Sequence, residues 1–251
     1  MRKLIVANWK MNPTSRKEAL RLFDSLKNGL RKVKRAEVVI CPPFVYLSGL
    51  KKSQNLKLGA QDSFWEEKGA FTGEISALML KDLGVEYVIL GHSEKRAIGE
   101  SDEMIFLKIK KALEFKLRPI FCIGEKEEER KEGKAFVVLE KQIKSVLYKM
   151  PKNSILKIAI AYEPVWAIGT KNPCLPDEAL KMSLFIRKVV SQIFDYKAAR
   201  SVRIIYGGSV KADNARDYLA QKEISGVLVG GASLNPAEFL KIASSVGGVD
   251  F

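Results

Sequence analysis

One histidine and three cysteines are all that 251 residues offer to soft-ligand chemistry. Cys41, Cys122 and Cys174 are widely spaced and odd in number. That pattern supports neither a disulfide framework nor a zinc site, and it suits a reducing compartment. Cys122, within Phe121-Cys122-Ile123-Gly124-Glu125, reads as a packed small residue rather than a nucleophile, because no second histidine exists to pair with it. No run of 18 or more apolar residues occurs, so no spanning helix is expected. The start, Met1-Arg2-Lys3-Leu4-Ile5-Val6-Ala7-Asn8, is basic but lacks an apolar h-region and a small-residue cleavage site. It reads as a strand that begins at once, in a protein expected to be soluble and cytoplasmic.

Acidic residues are scarce at one end. Residues 1–52 hold 13 Lys/Arg against Glu18, Asp24 and Glu37, most of the surplus lying between Arg16 and Arg35, in a chain of net charge +14. Such a run is usually a solvated helix face. Steering of an anionic substrate and nucleic-acid binding are the functional alternatives. Helical Lys/Arg without interleaved exposed aromatics is an incomplete nucleic-acid footprint.

What the chain does have is alternation. Eight β-rich runs, Leu4–Asn8, Glu37–Cys41, Lys57–Gln61, Tyr87–Leu90, Arg118–Ile123, Lys157–Tyr162, Val202–Tyr206 and Gly226–Val229, are each followed by a helical pattern. Most are nearly continuous in apolar residues, as parallel strands covered on both faces should be. Ser15-x-x-Glu18 is a capping box opening one helix, and Asn235-Pro236-Ala237-Glu238 opens another. Phe136, Leu139, Ile143, Val146, Leu147 and Met150 form one helical stripe; Leu180, Leu184, Phe185, Val189 and Ile193 form another. The mean interval, roughly 31 residues, is that of a βα unit. The expected fold is therefore α/β, a single (β/α)8 barrel domain over residues 1–251.

Two segments break the pattern. Asp62 to Ser76 is a long loop carrying Phe64, Trp65 and Phe71 beside Gly69 and Gly73, and exposed aromatics there suggest a partner surface. Glu125 to Lys134 is a charge run that reads as a solvated turn and is assigned no chemistry.

In such a barrel the active site lies where the strands end. Those ends carry Asn8-Trp9-Lys10, Gly91-His92-Ser93-Glu94, Glu163, Gly207-Gly208-Ser209 and Gly230-Gly231. His92 precedes a short helix whose first N–H groups and positive dipole end would favour the neutral ring. Two glycine turns on adjacent strands, beside a third donor at Gly169, suit a phosphate dianion. After Glu163, Pro164 blocks helical continuation. Val165, Trp166 and Ile168 then stand in what should be a loop, closed by Gly169-Thr170, which reads as a lid hinged beside a carboxylate.

Tyr162-Glu163-Pro164-Val165-Trp166-Ala167-Ile168-Gly169-Thr170 and Leu90-Gly91-His92-Ser93-Glu94-Lys95-Arg96 resemble triosephosphate isomerases. The resemblance runs from Asn8-Trp9-Lys10 to Val229-Gly230-Gly231-Ala232-Ser233-Leu234, in the family's order. It implies a homodimeric barrel that interconverts dihydroxyacetone phosphate and D-glyceraldehyde 3-phosphate without cofactor or metal. It further implies Glu163 as base, His92 as electrophile, Lys10 as fixed positive charge, Asn8 as orienting group and Glu94 as a further acid near the lysine. Asn8, Trp9, Lys10, Gly169, Ser209, Gly230 and Gly231 would bind substrate, Tyr206 would bond the closed lid, and Phe71, Thr72 and Gly73 would lie at the dimer loop. The chain departs from the family at Lys171-Asn172-Pro173-Cys174, the far lid hinge, and at Lys95, where arginine is more common.

Overall fold

The computed structural model describes residues 2–53, 55–170 and 173–246. Eight strands, β1 (Lys3–Asn8), β2 (Ala36–Cys41), β3 (Leu56–Ala60), β4 (Tyr87–Leu90), β5 (Arg118–Ile123), β6 (Ala159–Tyr162), β7 (Arg203–Tyr206) and β8 (Gly226–Val229), follow one another round a closed parallel barrel. Closure is made by β1 on β8, with Leu4 opposite Gly226 and Ala7 opposite Val229.

Strand periodicity sorts the buried side chains into two layers. Leu4, Val6, Val39, Cys41, Tyr87, Ile89, Ile120, Cys122, Ala159, Ala161, Ile205 and Leu228 fill the barrel interior. Ile5, Ala7, Trp9, Val38 and Ile40 point the other way and join the larger core under the helices. β3 places Gly59 inside, where an added Cβ would lie 2.4 Å from Cys41 Sγ. The interior is thus too tight there for any side chain.

Expected helix starts are present. Ser15 Oγ accepts from Glu18 N at 3.3 Å ahead of the Arg16–Gly29 helix, and Asn235 Oδ1 accepts from Glu238 N at 3.2 Å ahead of Pro236–Ser244. The Pro176–Ile193 helix differs from its reading: Ala179, Met182, Ser183, Ile186, Val189 and Val190 are buried, whereas Leu184 is exposed. A leucine row beside the true contact face misleads because small residues let the neighbouring helices approach most closely. Phe136 is likewise exposed on the Ala135–Leu147 helix, its ring tilted against that of Phe185 with centroids 4.6 Å apart. β6 also begins later than Lys157, since Lys152–Lys157 is a 3-10 turn. In the long loop after β3, Phe64 and Trp65 are half-buried and stacked 4.0 Å apart, leaving Phe71 as the exposed aromatic. Among the described residues no helix is long and apolar enough to cross a membrane.

The floor of the barrel is ionic. Glu37 of β2 is buried, accepts from Tyr87 Oη at 2.7 Å, and pairs with Arg203 at 2.7 Å and Lys57 at 3.0 Å. Burial alone would raise its pKa, but the hydrogen bonds from Tyr87, Arg203 and Lys57 outweigh it and hold the carboxyl down at about 2.

Candidate active site

At the carboxyl ends of the strands lies a cavity of about 430 Å³. Asn8, Lys10, His92, Gly169, Ser209, Gly230 and Gly231 line it, so seven residues singled out in the sequence share one wall. Alternation explains the first two: positions 4, 6, 8 and 10 point inward, and 5, 7 and 9 outward. The same alternation corrects Trp9, which is wholly buried under the helices and does not line the cavity.

Lys10 sits at φ 54°, a left-handed conformation rare for a residue with a side chain. Neighbours hold it there. Asn8 Oδ1 accepts from Lys10 N at 3.0 Å, and Gln61 Nε2 donates to both Lys10 O and Cys41 O at 2.9 Å. The backbone conformation therefore sets where the side chain leaves the chain. Lys10 Nζ pairs with Glu94 Oε1 at 2.5 Å.

His92 caps the Ser93–Ala97 helix, and its Nδ1 accepts from Glu94 N at 3.2 Å. A ring whose Nδ1 accepts a hydrogen bond carries its proton on Nε2, which here faces the site as a neutral donor. That nitrogen lies 3.3 Å from Glu163 Oε1.

Glu163 is buried and does not line the cavity. Its Oε2 accepts from Ser93 N at 3.0 Å, while Oε1 has no hydrogen-bond partner among the described residues. The close approach of two neighbours makes room for it. A Cβ on Gly124 would lie 1.8 Å from Glu163 O, and one on Gly207 would lie 2.8 Å from Glu163 Cγ.

The lid follows. Val165–Ala167 forms a 3-10 turn, and Gly169 takes φ 69°, which suits its lack of a side chain. Ser209 Oγ donates to Ala167 O at 2.8 Å, so its hydroxyl grips the lid rather than pointing freely into the cavity. Tyr206 Oη is buried and has no hydrogen-bond partner among the described residues, its ring stacked at 4.1 Å on Tyr218. Of the unusual hinge, Lys171 and Asn172 lie outside the described residues. Burial pushes the Cys174 thiol up to about 12, in keeping with an inert packed residue.

Glu125 overturns the reading of its charge run as a solvated turn. It is wholly buried, accepting from Trp166 Nε1 at 2.8 Å and from Tyr162 Oη at 3.1 Å. Arg130 lies 4.5 Å over the indole ring. The signal was available: Glu125 stands two residues after the end of β5, on the rim that the other strand ends define. Gln61, directly after β3, was missed for want of the same question. Lys95 reaches Asp62 at 2.9 Å and so ties the long loop to the β4 end.

The end of the cavity at Gly230 and Gly231 is bare backbone. Nothing lies within 4 Å of a Cβ built on Gly231, and Lys10 Cε is 3.4 Å from one on Gly230. Gly231–Leu234 is a 3-10 turn, whose first N–H groups have no partner within the turn. The arrangement joins a cation, a neutral imidazole donor, a shielded carboxylate and unencumbered N–H groups at one cavity. Among the described residues no three His, Cys, Asp or Glu side chains gather as they would around a metal ion.

A family model described as triosephosphate isomerase matches residues 3–246. Three triosephosphate isomerases are similar along the whole chain. That of Dictyoglomus turgidum is 48% identical over 250 residues, covering 97% of this chain and 99% of the relative. That of Alkaliphilus oremlandii is 49% identical, covering 96% and 99%. That of Aquifex aeolicus is 48% identical, covering 98% and 100%.

Proposed function

The chain belongs to the triosephosphate isomerase family, and from that premise we propose that it interconverts dihydroxyacetone phosphate and D-glyceraldehyde 3-phosphate, with Glu163 moving a proton between C1 and C2. The observation that carries the reading is the 3.3 Å approach of His92 Nε2 to Glu163 Oε1 beside a cavity floored by glycine turns.

The α-proton of a ketone is weakly acidic, so a base succeeds only if the enediolate is stabilised as it forms. His92 Nε2–H donates to the developing oxyanion, Lys10 supplies positive charge, and Asn8 orients the carbonyl. These are roles that this family itself exemplifies. Glu163 must leave Ser93 and turn past Gly207 into the cavity to reach carbon. Gly169, Gly230, Gly231 and Ser209 hold the phosphate, and the lid shields the enediolate from water and from expelling that phosphate. Glu94 balances Lys10 when substrate is absent.

A homodimer fits the same rim. Loops after the four consecutive strands β1 to β4 present Met11, Val45, Phe71 and Ile98, exposed at 89%, 77%, 42% and 78%. Exposed apolar side chains on neighbouring loops suit a covered surface, and Phe71, Thr72 and Gly73 of the loop after β3 belong to that set of loops. The three thiols, all unpaired, suit a cytoplasmic setting. The test of the activity is conversion of dihydroxyacetone phosphate, coupled to a dehydrogenase for its aldehyde isomer, with phosphoglycolate as competitor. No turnover above background would end the proposal.

A further inference from the structure

A second concavity lies at the far end of the barrel. It has a volume of about 700 Å³ and is bounded by the second half of the Pro176–Ile193 helix, the Tyr196–Ser201 helix, and the chain entering β1 and β8. Among the described residues six basic side chains line it, Arg2, Lys3, Arg187, Lys188, Arg200 and Lys222, against the single carboxylate of Glu223. From this we infer that the amino-terminal end of the barrel holds a second anion site, built for a small molecule that carries a polyphosphate chain.

Two of the cations are committed to the fold and form its back wall. Lys3 Nζ donates to Gln221 O at 3.0 Å and to Ile224 O at 2.5 Å. Arg187 Nη1 donates to Ala199 O and Val202 O, Nη2 donates to Glu223 O, and Nε lies 2.6 Å from Glu223 Oε2. Glu223 is thereby occupied from within. The other four, Arg2, Lys188, Arg200 and Lys222, are exposed, and among the described residues none of them forms an ion pair with a carboxylate. Burial lowers the pKa of Arg187, Glu223 raises it in part, and Arg200 adds a smaller lowering.

A solvated surface spreads such charges or interleaves them with acids, as this chain does along the Glu127–Lys131 helix. Gathering four unpaired cations on a concave wall focuses a positive field into it. The volume lies in the range of small-ligand sites, and arginine's planar fork suits phosphate oxygens. Tyr196 adds a further element. Its ring is exposed and lies 5.8 Å from the Arg200 guanidinium, with its hydroxyl 3.2 Å from Arg200 Nη1. An aromatic face beside a phosphate cradle is what a nucleoside triphosphate would use and an inorganic polyphosphate would not. This inference stands apart from the isomerase reading, since none of these residues lines the rim cavity.

The test is calorimetric titration of ATP and of tripolyphosphate into the intact protein, with phosphoglycolate present to fill the rim cavity. The comparison is with a K188Q/R200Q double variant. One equivalent per chain is expected, weakening between about 50 and 200 mM salt as screening grows. The double variant is expected to lose roughly tenfold or more in affinity, as the removal of charge-assisted contacts requires, while isomerase turnover is unchanged. Tyr196→Ala separates the sources: selective weakening of ATP assigns a nucleotide, and equal retention of both assigns the polyphosphate chain alone. Absence of saturable binding by either compound, or equal affinity in the double variant, would overturn the inference.

Discussion

The backbone N–H of Ser93 donates to Glu163 Oε2 at 3.0 Å, at the start of the same short helix that His92 caps. One helix end therefore both parks the carboxylate and sets the tautomer of the imidazole. The two groups are positioned from a single piece of backbone, so their relative placement does not depend on long flexible side chains.

Glu163→Asp withdraws the carboxylate by one methylene. A displacement of about 1 Å costs on the order of 10²-fold in rate, so kcat is expected to fall by at least that factor with KM little changed. His92→Gln is expected to lower kcat by roughly 10²-fold or more, since general acid–base contributions are of that size. Coupled assays beside circular dichroism check both, and wild-type rates in either variant would refute the assignment.

Glu125→Gln and Trp166→Phe each weaken one contact, between the buried carboxylate and the lid indole. Each is expected to raise the share of turnovers that release inorganic phosphate, because the lid closes less securely over the enediolate. A double-mutant cycle on kcat/KM is expected to be strongly non-additive. Additive losses would mean that the two residues act separately.

Glu37 makes stability depend on acid. Its folded pKa of about 2 lies below the ordinary 4.5, so the contribution is fully present above pH 4.5 and is lost as pH falls toward 2. The difference corresponds to about 3 kcal/mol. Urea unfolding midpoints measured across that range should fall steeply in the wild type and less steeply in Glu37→Gln. Parallel curves would show that the floor of the barrel does not govern acid stability.

Phe71→Asp places a charge on the protruding loop after β3. Sedimentation velocity is expected to show a shift from dimer to monomer, with reduced activity. A species of unchanged size would remove this loop from the interface.

Much of the architecture could be read from residues alone, because strands buried on both faces appear as apolar runs and their ends mark one rim. The failures have physical causes. The resemblance groups Trp9 with Asn8 and Lys10 on the substrate wall, whereas strand alternation sends it to the opposite layer. Glu125 was hidden among neighbours that really are solvated, since composition describes a segment and burial is decided residue by residue. The contact face of Pro176–Ile193 was shifted because Ala179 and Ser183, which pack inward, carry little hydrophobic signal. No local pattern revealed the left-handed Lys10 either, because its conformation is imposed by Asn8 and by a glutamine 51 positions away.

The seam between Leu4 and Gly226 sets a timetable for biosynthesis. At about 5–20 residues per second of translation, the outer edge of β1 waits on the order of 10–40 s for the strand that will cover it. During that interval it is an open template for other chains. Lys3, whose ammonium later ties off the carbonyls of Gln221 and Ile224, stands at the mouth of that edge as the residue least welcome to a stray strand.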